Sequence, residues 1–272
     1  MKYSDKLLVT ADGAMLADPA SLGKLAGNLV GNLADDALEA AFEPAFWRAR
    51  GELIEVTAGR GSAWFISEGG RWVLRHYRRG GWIARLSRDR YIWAGEARVR
   101  AFAEYRMLAE LAGSGLPVPK PVAARYRRTG PFYRCDLITQ RIADARPLSS
   151  VLSRAPVTDD LWGVIGATVA RLHAAGADHA DLNAHNVLVG DDGAVSVIDF
   201  DRGTLRTPAG MSGGPAAGKS RAWAARNLAR LHRSLEKVSR DLPPDRFPAA
   251  AWDRLLAGYG QATGYGEPAG HR

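Results

Sequence analysis

The most specific motif in the sequence is His179-Ala180-Asp181-Leu182-Asn183-Ala184-His185-Asn186. A second motif follows, Val197-Ile198-Asp199-Phe200-Asp201, with Asp199 thirteen residues after Asn186. Phosphoryl transfer from ATP needs a carboxylate that accepts the proton of the attacking hydroxyl, and oxygen ligands for the magnesium ion on the phosphates. The two stretches therefore predict that Asp181 is the catalytic base. They also predict that Asn186 and Asp199 bind Mg²⁺.

In spacing and order, the two stretches resemble the catalytic loop and the DFG motif of protein kinases. Two other interpretations stay open. The loop could be polar and purely structural, its side chains hydrogen-bonding backbone groups. Alternatively, His179, Asp181 and His185 could form a metal site, although zinc sites usually need a further ligand. We expect the two histidines to brace the loop.

A glycine-rich turn lies upstream, between two predicted strands, and consists of Gly59, Arg60, Gly61 and Ser62. Such a turn can cover the phosphates of a nucleotide, as the glycine-rich loop of kinases does. An ordinary hairpin turn would have the same sequence, so this signal is weak without the other motifs.

Arg75, in Trp72-Val73-Leu74-Arg75, occupies the place where kinases have a lysine that contacts the nucleotide phosphates. Arginine keeps the charge and adds a bidentate fork, so phosphate contact is retained in a different geometry. The best candidate for its ion-pair partner is Glu104, in a predicted helix. The alternative for Glu104 is a surface charge pair within that helix.

Residues 213–220, Gly-Gly-Pro-Ala-Ala-Gly-Lys-Ser, satisfy the Walker A pattern of nucleotide-binding P-loops. A working P-loop follows a buried hydrophobic strand. The residues from Leu205 to Ser212 contain proline and glycine and no apolar run. We therefore interpret residues 208–219 as a flexible loop, followed by a helix over 222–238.

The composition is that of a globular protein, with 272 residues, 46% of them hydrophobic and 24% charged. Cys135 is the only cysteine, so neither an intrachain disulfide nor a cysteine-built zinc site can form, and a reducing compartment is expected. We find no membrane-spanning stretch and expect no secretory signal.

Positive charge is concentrated in one segment. The formal net charge is +8, and between residues 71 and 106 ten arginines face three acids. The arginines are Arg71, Arg75, Arg78, Arg79, Arg85, Arg88, Arg90, Arg98, Arg100 and Arg106. Aromatic residues are interleaved with them. Such a surface suits a phosphorylated, lipid-borne or nucleic-acid partner, and a solvated basic face is the alternative.

The order of elements predicts an α+β protein with two lobes. Strands are expected over 52–56, 64–66, 72–74, 122–126, 132–139, 187–189 and 195–200, with helices over the stretch ending at Gly113 and over 161–172. We divide the chain into an N-terminal extension (1–45), an N-lobe of antiparallel sheet plus helix (46–141) and a mostly helical C-lobe (142–272).

From about Phe42 to Lys237 the chain resembles the 3-deoxy-D-manno-oct-2-ulosonic acid (Kdo) kinases of Gram-negative lipopolysaccharide assembly. The resemblance is carried by residues 59–66, 74–81, 115–124, 179–188, 198–203 and 226–231. It implies a protein-kinase-like fold and ATP-dependent phosphorylation of the 4-hydroxyl of Kdo on a lipid A precursor. The expected place is the cytoplasmic face of the inner membrane, to which the protein would bind peripherally.

Carried over by residue, the resemblance implies that Asp181 is the base and that Asn186 and Asp199 hold magnesium. Arg75 and Glu104 would organise the ATP phosphates beneath the turn of residues 59–62. The arginine-rich segment, Arg78, Arg79, Arg85 and Arg88 above all, would contact the lipid-linked acceptor or the anionic bilayer.

Two rival functions are left. A kinase of the aminoglycoside or choline type shares the catalytic motif, but a cationic acceptor favours an acidic surface rather than these arginines. A non-catalytic basic module, either a pseudokinase or a nucleic-acid binder, is disfavoured by the intact Asp181, Asn186 and Asp199, and no nucleic-acid motif supports it.

Overall fold

The computed structural model of the chain describes residues 6–18, 35–55, 62–78, 89–206 and 216–263. The chain divides into two compact units. The first comprises Met1–Gly113 and Pro119–Ile142, and the second comprises Ser114–Val118 and Ala143–Arg272. The division at residue 142 falls next to the predicted start of the C-lobe.

The first unit is built on an eight-stranded antiparallel sheet with strand order β1-β2-β7-β8-β5-β4-β3, and β6 pairs with the outer part of β8. The strands are β1 (Lys6–Val9), β2 (Gly13–Ala17), β3 (Leu53–Glu55), β4 (Ser62–Ile66), β5 (Trp72–His76), β6 (Tyr91–Ile92), β7 (Pro121–Thr129) and β8 (Phe132–Gln140). Valine, isoleucine and aromatic residues recur in these strands, as half-buried sheets favour.

Helices cover both faces of this sheet. They are α1 (Asp35–Ala40), α2 (Pro44–Ala49) and α3 (Arg100–Gly113), with short 3-10 turns at Glu68–Gly70 and Glu96–Arg98. Phe42 and Trp47 pack with Leu74 of β5 in one buried cluster, and Arg75, the next residue, pairs with Glu104 of α3. Because neighbouring side chains of a strand point to opposite faces, α1 and α2 cover one face and α3 covers the other.

Residues 6–17 lie within the segment interpreted as an N-terminal extension, yet they supply two strands of the sheet, because β2 pairs with β7. Their sequence lacks the alternation that marks a half-buried strand, since Ala14 to Ala17 are all buried. The sequence from Asp35 to Phe42 has a helix-compatible pattern, and α1 covers its first six residues, Asp35–Ala40.

A buried ion pair crosses the sheet under α1. Arg125 of β7 donates to Asp136 of β8 from Nε (3.1 Å) and Nη2 (2.8 Å), and His76 of β5 contacts the other carboxylate oxygen at 2.6 Å. Burial alone would raise the pKa of Asp136, but the hydrogen bond with His76 and the charge of Arg125 lower it below its usual value. The carboxylate therefore stays ionised in the sheet.

The second unit combines two small antiparallel sheets with four helices. One sheet has the order β12-β11-β9 and the other pairs β10 with β13. The strands are β9 (Ala145–Pro147), β10 (Ala177–Asp178), β11 (Val187–Gly190), β12 (Val195–Val197) and β13 (Thr204–Leu205). The helices are α4 (Leu148–Arg154), α5 (Asp159–Ala174), α6 (Ala216–Ser239) and α7 (Ala249–Thr263), with a 3-10 turn at Pro244–Arg246.

An antiparallel sheet with helices in the first unit and mostly helices in the second confirm the predicted α+β fold class. Two boundaries were wrong. The strand predicted over 195–200 ends at Val197. Helix α6 begins at Ala216, inside the predicted loop of 208–219, because Ala216, Ala217 and Lys219 are strong helix formers that offset the weak Gly218. Residues 207–215 of that loop lie outside the described residues.

Helices α5 and α7 form the main helix pair of the second unit. Helix α5 starts at the N-cap Thr158, whose side chain accepts the backbone N–H of Leu161, and its Asp159 and Asp160 favour the positive N-terminal end. The backbones of the pair touch at Gly166, where an added Cβ would overlap the carbonyl oxygen of Leu255 in α7.

We predict that Gly166→Ala lowers the free energy of unfolding by about 2 kcal/mol or more, because the new methyl group separates α5 from α7. Gly163→Ala is the matched control, since a Cβ there meets no atom within 4 Å. That variant should be neutral, or stabilised by up to about 1 kcal/mol through helix propensity. Urea unfolding of both proteins measures the effect, and equal stability of the two variants would contradict the packing argument.

Candidate active site

Two loops of the second unit run side by side because they connect the same two small sheets. The loop of residues 179–186 leaves β10 and enters β11, and the loop of residues 198–203 leaves β12 and enters β13. Since β10 pairs with β13 and β11 pairs with β12, both ends of the two loops are held together. The predicted site residues Asp181, Asn186 and Asp199 all lie on these loops.

His179 joins the two loops through both ring nitrogens. Its Nε2 lies 2.9 Å from the carbonyl oxygen of Ile198, and its Nδ1 accepts the backbone N–H of Asp181 at 3.1 Å. A carbonyl only accepts and an N–H only donates, so the ring carries its single proton on Nε2. Burial lowers the pKa of His179 and keeps the ring neutral, against the charges of Asp199 and Asp181.

Asn186 closes the first loop on itself. Its side-chain Nδ2 donates to the backbone carbonyl of Asp181 at 2.9 Å. The backbone carbonyl of Asn186 accepts the N–H of Ile198, also at 2.9 Å. Asn183 Nδ2 donates to the same Asp181 carbonyl. With Nδ2 oriented in this way, Oδ1 is the side-chain atom of Asn186 that can bind a cation.

Asp199 adopts a left-handed backbone conformation, with φ of 67°. This region is uncommon for residues other than glycine, and aspartate is one of the few that tolerate it. The next residue, Phe200, is buried and packs its ring on that of His179, with 4.6 Å between centroids. The buried ring thus fixes the backbone from which the Asp199 carboxylate projects.

Polar side chains of helix α6 hydrogen-bond to the backbone of the first loop. Asn227 accepts the backbone N–H of His179 at 2.9 Å and donates to the carboxylate of Asp178 at 2.9 Å. Seven residues further on, Ser234 Oγ accepts the N–H of Ala184 at 3.1 Å. In the sequence, residues 226–231 contribute to the family resemblance, but nothing there predicts a role for Asn227.

The carboxylate of Asp181 is exposed, at 61% of its side-chain surface, and Arg230 of α6 lies 3.6 Å from it. An exposed carboxylate held by its backbone is suited to accept a proton from a bound hydroxyl. Two nearby residues of the loop, Leu182 and Ala184, are buried and hold the loop against the interior of the second unit.

The first unit contains the predicted ion pair of Arg75 with Glu104. Arg75 Nη1 lies 2.7 Å from Glu104 Oε1, and the hydroxyl of Tyr77 donates to Oε2 of the same carboxylate. Glu104 is buried, so it is not the surface charge that the alternative interpretation required. Of the predicted glycine-rich turn, Gly59, Arg60 and Gly61 lie outside the described residues. Ser62 begins β4, where it pairs with His76, next to Arg75.

The alternative metal site of His179, Asp181 and His185 is wrong, because both nitrogens of His179 are engaged and His185 Nδ1 lies 2.8 Å from Ser149 Oγ. Within the described ranges, no group of three or more histidine, cysteine or acidic side chains could hold a metal. The amide oxygen of Asn186 and the carboxylate of Asp199 are hard oxygen donors. Such donors suit Mg²⁺, which usually takes one or two protein carboxylates and completes its shell with phosphate and water.

The Walker A look-alike has no strand directly before it in the described part of the chain. The last strand, β13, ends at Leu205 and is a two-residue partner of β10. Lys219 and Ser220 fall in the first turns of α6.

Fold and loop geometry together define a phosphotransferase of the protein-kinase-like class. Residues 44–259 match the model of the lipopolysaccharide kinase (Kdo/WaaP) family, and the chain belongs to that family. This match selects the lipopolysaccharide kinases over the aminoglycoside and choline types.

Several proteins named 3-deoxy-D-manno-octulosonic acid kinase are similar to the chain. The protein of Xanthomonas campestris pv. campestris is 49% identical over 185 residues, which cover 66% of this chain and 68% of that protein. The protein of Xanthomonas euvesicatoria pv. vesicatoria is 47% identical over 197 residues (71% and 72%), and that of Xylella fastidiosa is 46% identical over 194 residues (71% and 73%).

His173 is a second buried histidine of this unit, 3.0 Å from the Tyr259 hydroxyl and packed on Trp223. Burial lowers its pKa to about 4, although Asn227 and Asp178 favour the charged ring. The unfolded chain therefore binds the proton first as the pH falls. Stability conferred by the neutral ring is complete above pH 6.5 and is lost between pH 6.5 and about 4.

We predict that the free energy of unfolding falls with decreasing pH in this window, and that His173→Gln reduces the slope by up to about 1.4 kcal/mol per pH unit. Urea unfolding at pH 7, 6, 5 and 4.5 measures both slopes. Some slope should remain in the variant, since burial lowers the pKa of His179 as well. Identical slopes for the two proteins would show that His173 takes up its proton in the folded state.

Proposed function

We propose that the protein transfers the γ-phosphoryl group of ATP to the 4-hydroxyl of Kdo on a lipid A precursor, Kdo-lipid IVA. The observation that carries the reaction type is the pair of loops joined by His179, which brings Asp181, Asn186 and Asp199 onto adjacent backbones. The choice of acceptor is supported by the relatives, which are named as kinases of this sugar.

In the proposed reaction the acceptor oxygen forms a bond to the γ-phosphorus, and the bond from that phosphorus to the β–γ bridging oxygen breaks. ADP leaves, and the proton of the acceptor hydroxyl passes to a carboxylate oxygen of Asp181. Asp181 suits this role because its backbone is held at both the N–H and the carbonyl while its carboxylate is exposed.

Asn186 Oδ1 and the Asp199 carboxylate would hold Mg²⁺. When bound, the ion neutralises charge on the transferring phosphoryl group. The contribution of the chain itself is to fix both ligands. Asn186 is oriented by its hydrogen bond to the Asp181 carbonyl, and Asp199 by the buried ring of Phe200.

In the first unit, Arg75 is proposed to contact the ATP phosphates and Glu104 to orient it, with the turn of Gly59, Arg60, Gly61 and Ser62 as a cover. The ion pair supports this proposal, because a buried carboxylate shared with Tyr77 holds the guanidinium in one place. Arg75 also keeps 26% of its side chain exposed, so a ligand can reach it.

We further propose that the protein works as a peripheral protein at the cytoplasmic face of the inner membrane. No helix in the described ranges is long and apolar enough to cross a bilayer. The arginine surplus between residues 71 and 106 supports attraction to anionic lipid, where each basic side chain contributes about 1 kcal/mol. Arg78 is exposed, and Arg79, Arg85 and Arg88 lie outside the described residues.

Radiolabel transfer from ATP to purified Kdo-lipid IVA tests the reaction. We predict that Asp181→Asn lowers kcat by a factor of about 100 to 10,000, the usual contribution of a positioned base. The control is Asp192→Asn, in the β11–β12 turn, where the amide oxygen still accepts the N–H of Ala194. Transfer by Asp181→Asn within tenfold of wild type would refute the base role, and label on another acceptor would refute the substrate.

Co-sedimentation with vesicles that contain anionic lipid tests the membrane role. We predict that replacing Arg78, Arg79, Arg85 and Arg88 by serine reduces binding at low salt at least about tenfold, and that high salt removes the difference. The matched control replaces Arg154, Arg233, Arg240 and Arg254, four exposed arginines of the second unit, and so removes the same charge. Equal binding of the two variants would show that total charge, rather than this segment, attracts the vesicles.

A further inference from the structure

Arg230 is the basic side chain that α6 brings to the proposed base. Its Nη1 lies 3.6 Å from Asp181 Oδ1, and the side chains are 49% and 61% exposed. The helix beneath it is fixed to the loop at two places, by Asn227 on the His179 N–H and by Ser234 on the Ala184 N–H. The backbone of Arg230 is therefore held at a fixed position next to the loop of Asp181, while its guanidinium group reaches solvent.

The contact between the two side chains is loose. A separation of 3.6 Å exceeds the roughly 3.2 Å limit of a good N–H···O hydrogen bond. An ion pair as exposed as this one contributes about 1 kcal/mol or less to stability. Folding therefore gives little reason for an arginine at this position. A guanidinium has five donors, so Arg230 can also bind a second anion beside Asp181.

The proposed acceptor supplies such an anion. Kdo is a 2-ulosonic acid, so its first carbon is a carboxylate, and the hydroxyl to be phosphorylated is on its fourth carbon. Three carbon–carbon bonds of about 1.5 Å separate these carbons, which leaves the two groups about 5 Å apart. A hydroxyl at Asp181 thus places the sugar carboxylate within reach of a cation on the next element.

We infer that Arg230 binds the carboxylate of the acceptor sugar and thereby selects an acidic sugar, an inference that rests on the proposed function. Arginine and carboxylate form a forked pair of charge-assisted hydrogen bonds that also fixes orientation. When the sugar binds, the guanidinium exchanges its loose contact with Asp181 for this pair. The Asp181 carboxylate is then left to the acceptor hydroxyl, and a neutral sugar lacks the group that causes the exchange.

The test compares two acceptors, Kdo-lipid IVA and its analogue in which the sugar carboxylate is a neutral amide. With the wild-type enzyme we expect the amide to raise KM about tenfold, as loss of a hydrogen bond to a charged group does. Arg230→Gln should raise KM for the acid about tenfold and abolish the difference between the acceptors. Arg230→Lys should restore part of the difference, because it keeps the charge without the fork.

Arg233→Gln is the matched control, since it removes an exposed charge from the same helix one turn further on. It should keep the wild-type ratio of the two KM values. If Arg230→Gln instead lowers kcat equally for both acceptors and leaves that ratio unchanged, Arg230 acts only by positioning Asp181 and the inference is wrong. Thermal unfolding midpoints within a few degrees of wild type establish that the variants are folded.

A binding measurement separates this inference from the proposed function. Free Kdo and its amide are titrated into wild-type and Arg230→Gln protein without ATP, and binding is followed by NMR of the sugar. Carboxylate-dependent binding that is lost in Arg230→Gln supports the inference even if no phosphate transfer to the lipid is seen. Equal binding of Kdo by both proteins overturns it, whereas absence of transfer by the wild-type enzyme overturns the proposed function.

Discussion

A buried, uncharged imidazole holds the candidate active site together. His179 receives the N–H of Asp181 on one nitrogen and donates to the carbonyl of Ile198 with the other, so it is bonded to both loops through the backbone. The bond from the Asp181 N–H requires the neutral ring, since protonation would remove the Nδ1 lone pair that accepts it, whereas Nε2–H donates to Ile198 in either state. Burial of the ring, reinforced by the Phe200 contact, makes that state the stable one. This one side chain therefore connects the loop that carries Asp181 and Asn186 to the loop that carries Asp199.

Much of this arrangement could be predicted from the sequence, because the spacing of Asp181, Asn186 and Asp199 is fixed by the chemistry of the loops. Periodicity also identified α5 and the strands β4, β7 and β8. Three features gave no local signal. Strand β2 is buried along most of its length and does not alternate. Asn227 is one of many polar residues on an amphipathic helix, and Arg230 is one of several exposed arginines. The roles of these residues depend on contacts with partners at least 48 residues away in the sequence. Hydrophobic periodicity reflects only local structure and does not predict such contacts.

Carboxylates of the two units differ in how they are held. In the first, Glu104 and Asp136 are buried carboxylates, each held by an arginine and by a second partner, Tyr77 or His76. Buried pairs of this kind confer a defined geometry more reliably than stability, because desolvation offsets much of their attraction. In the second unit, Asp181 is exposed, and it is the backbone around it that is fixed. A guanidinium held in one position, such as that of Arg75, suits phosphate binding. An accessible carboxylate, such as that of Asp181, suits proton transfer.

The N-terminal hairpin matters for choosing a minimal fragment of this protein. The family match starts at residue 44, after β1, β2 and α1. A fragment trimmed to that span would lose Leu38 and Phe42 from the cluster around Trp47, and it would leave the whole length of β7 without a neighbour on one side. A bare strand edge of nine residues recruits other chains, so such a fragment is prone to aggregate. The boundary of sequence similarity is therefore not a boundary of folding, and expression of the catalytic unit should begin upstream of Lys6.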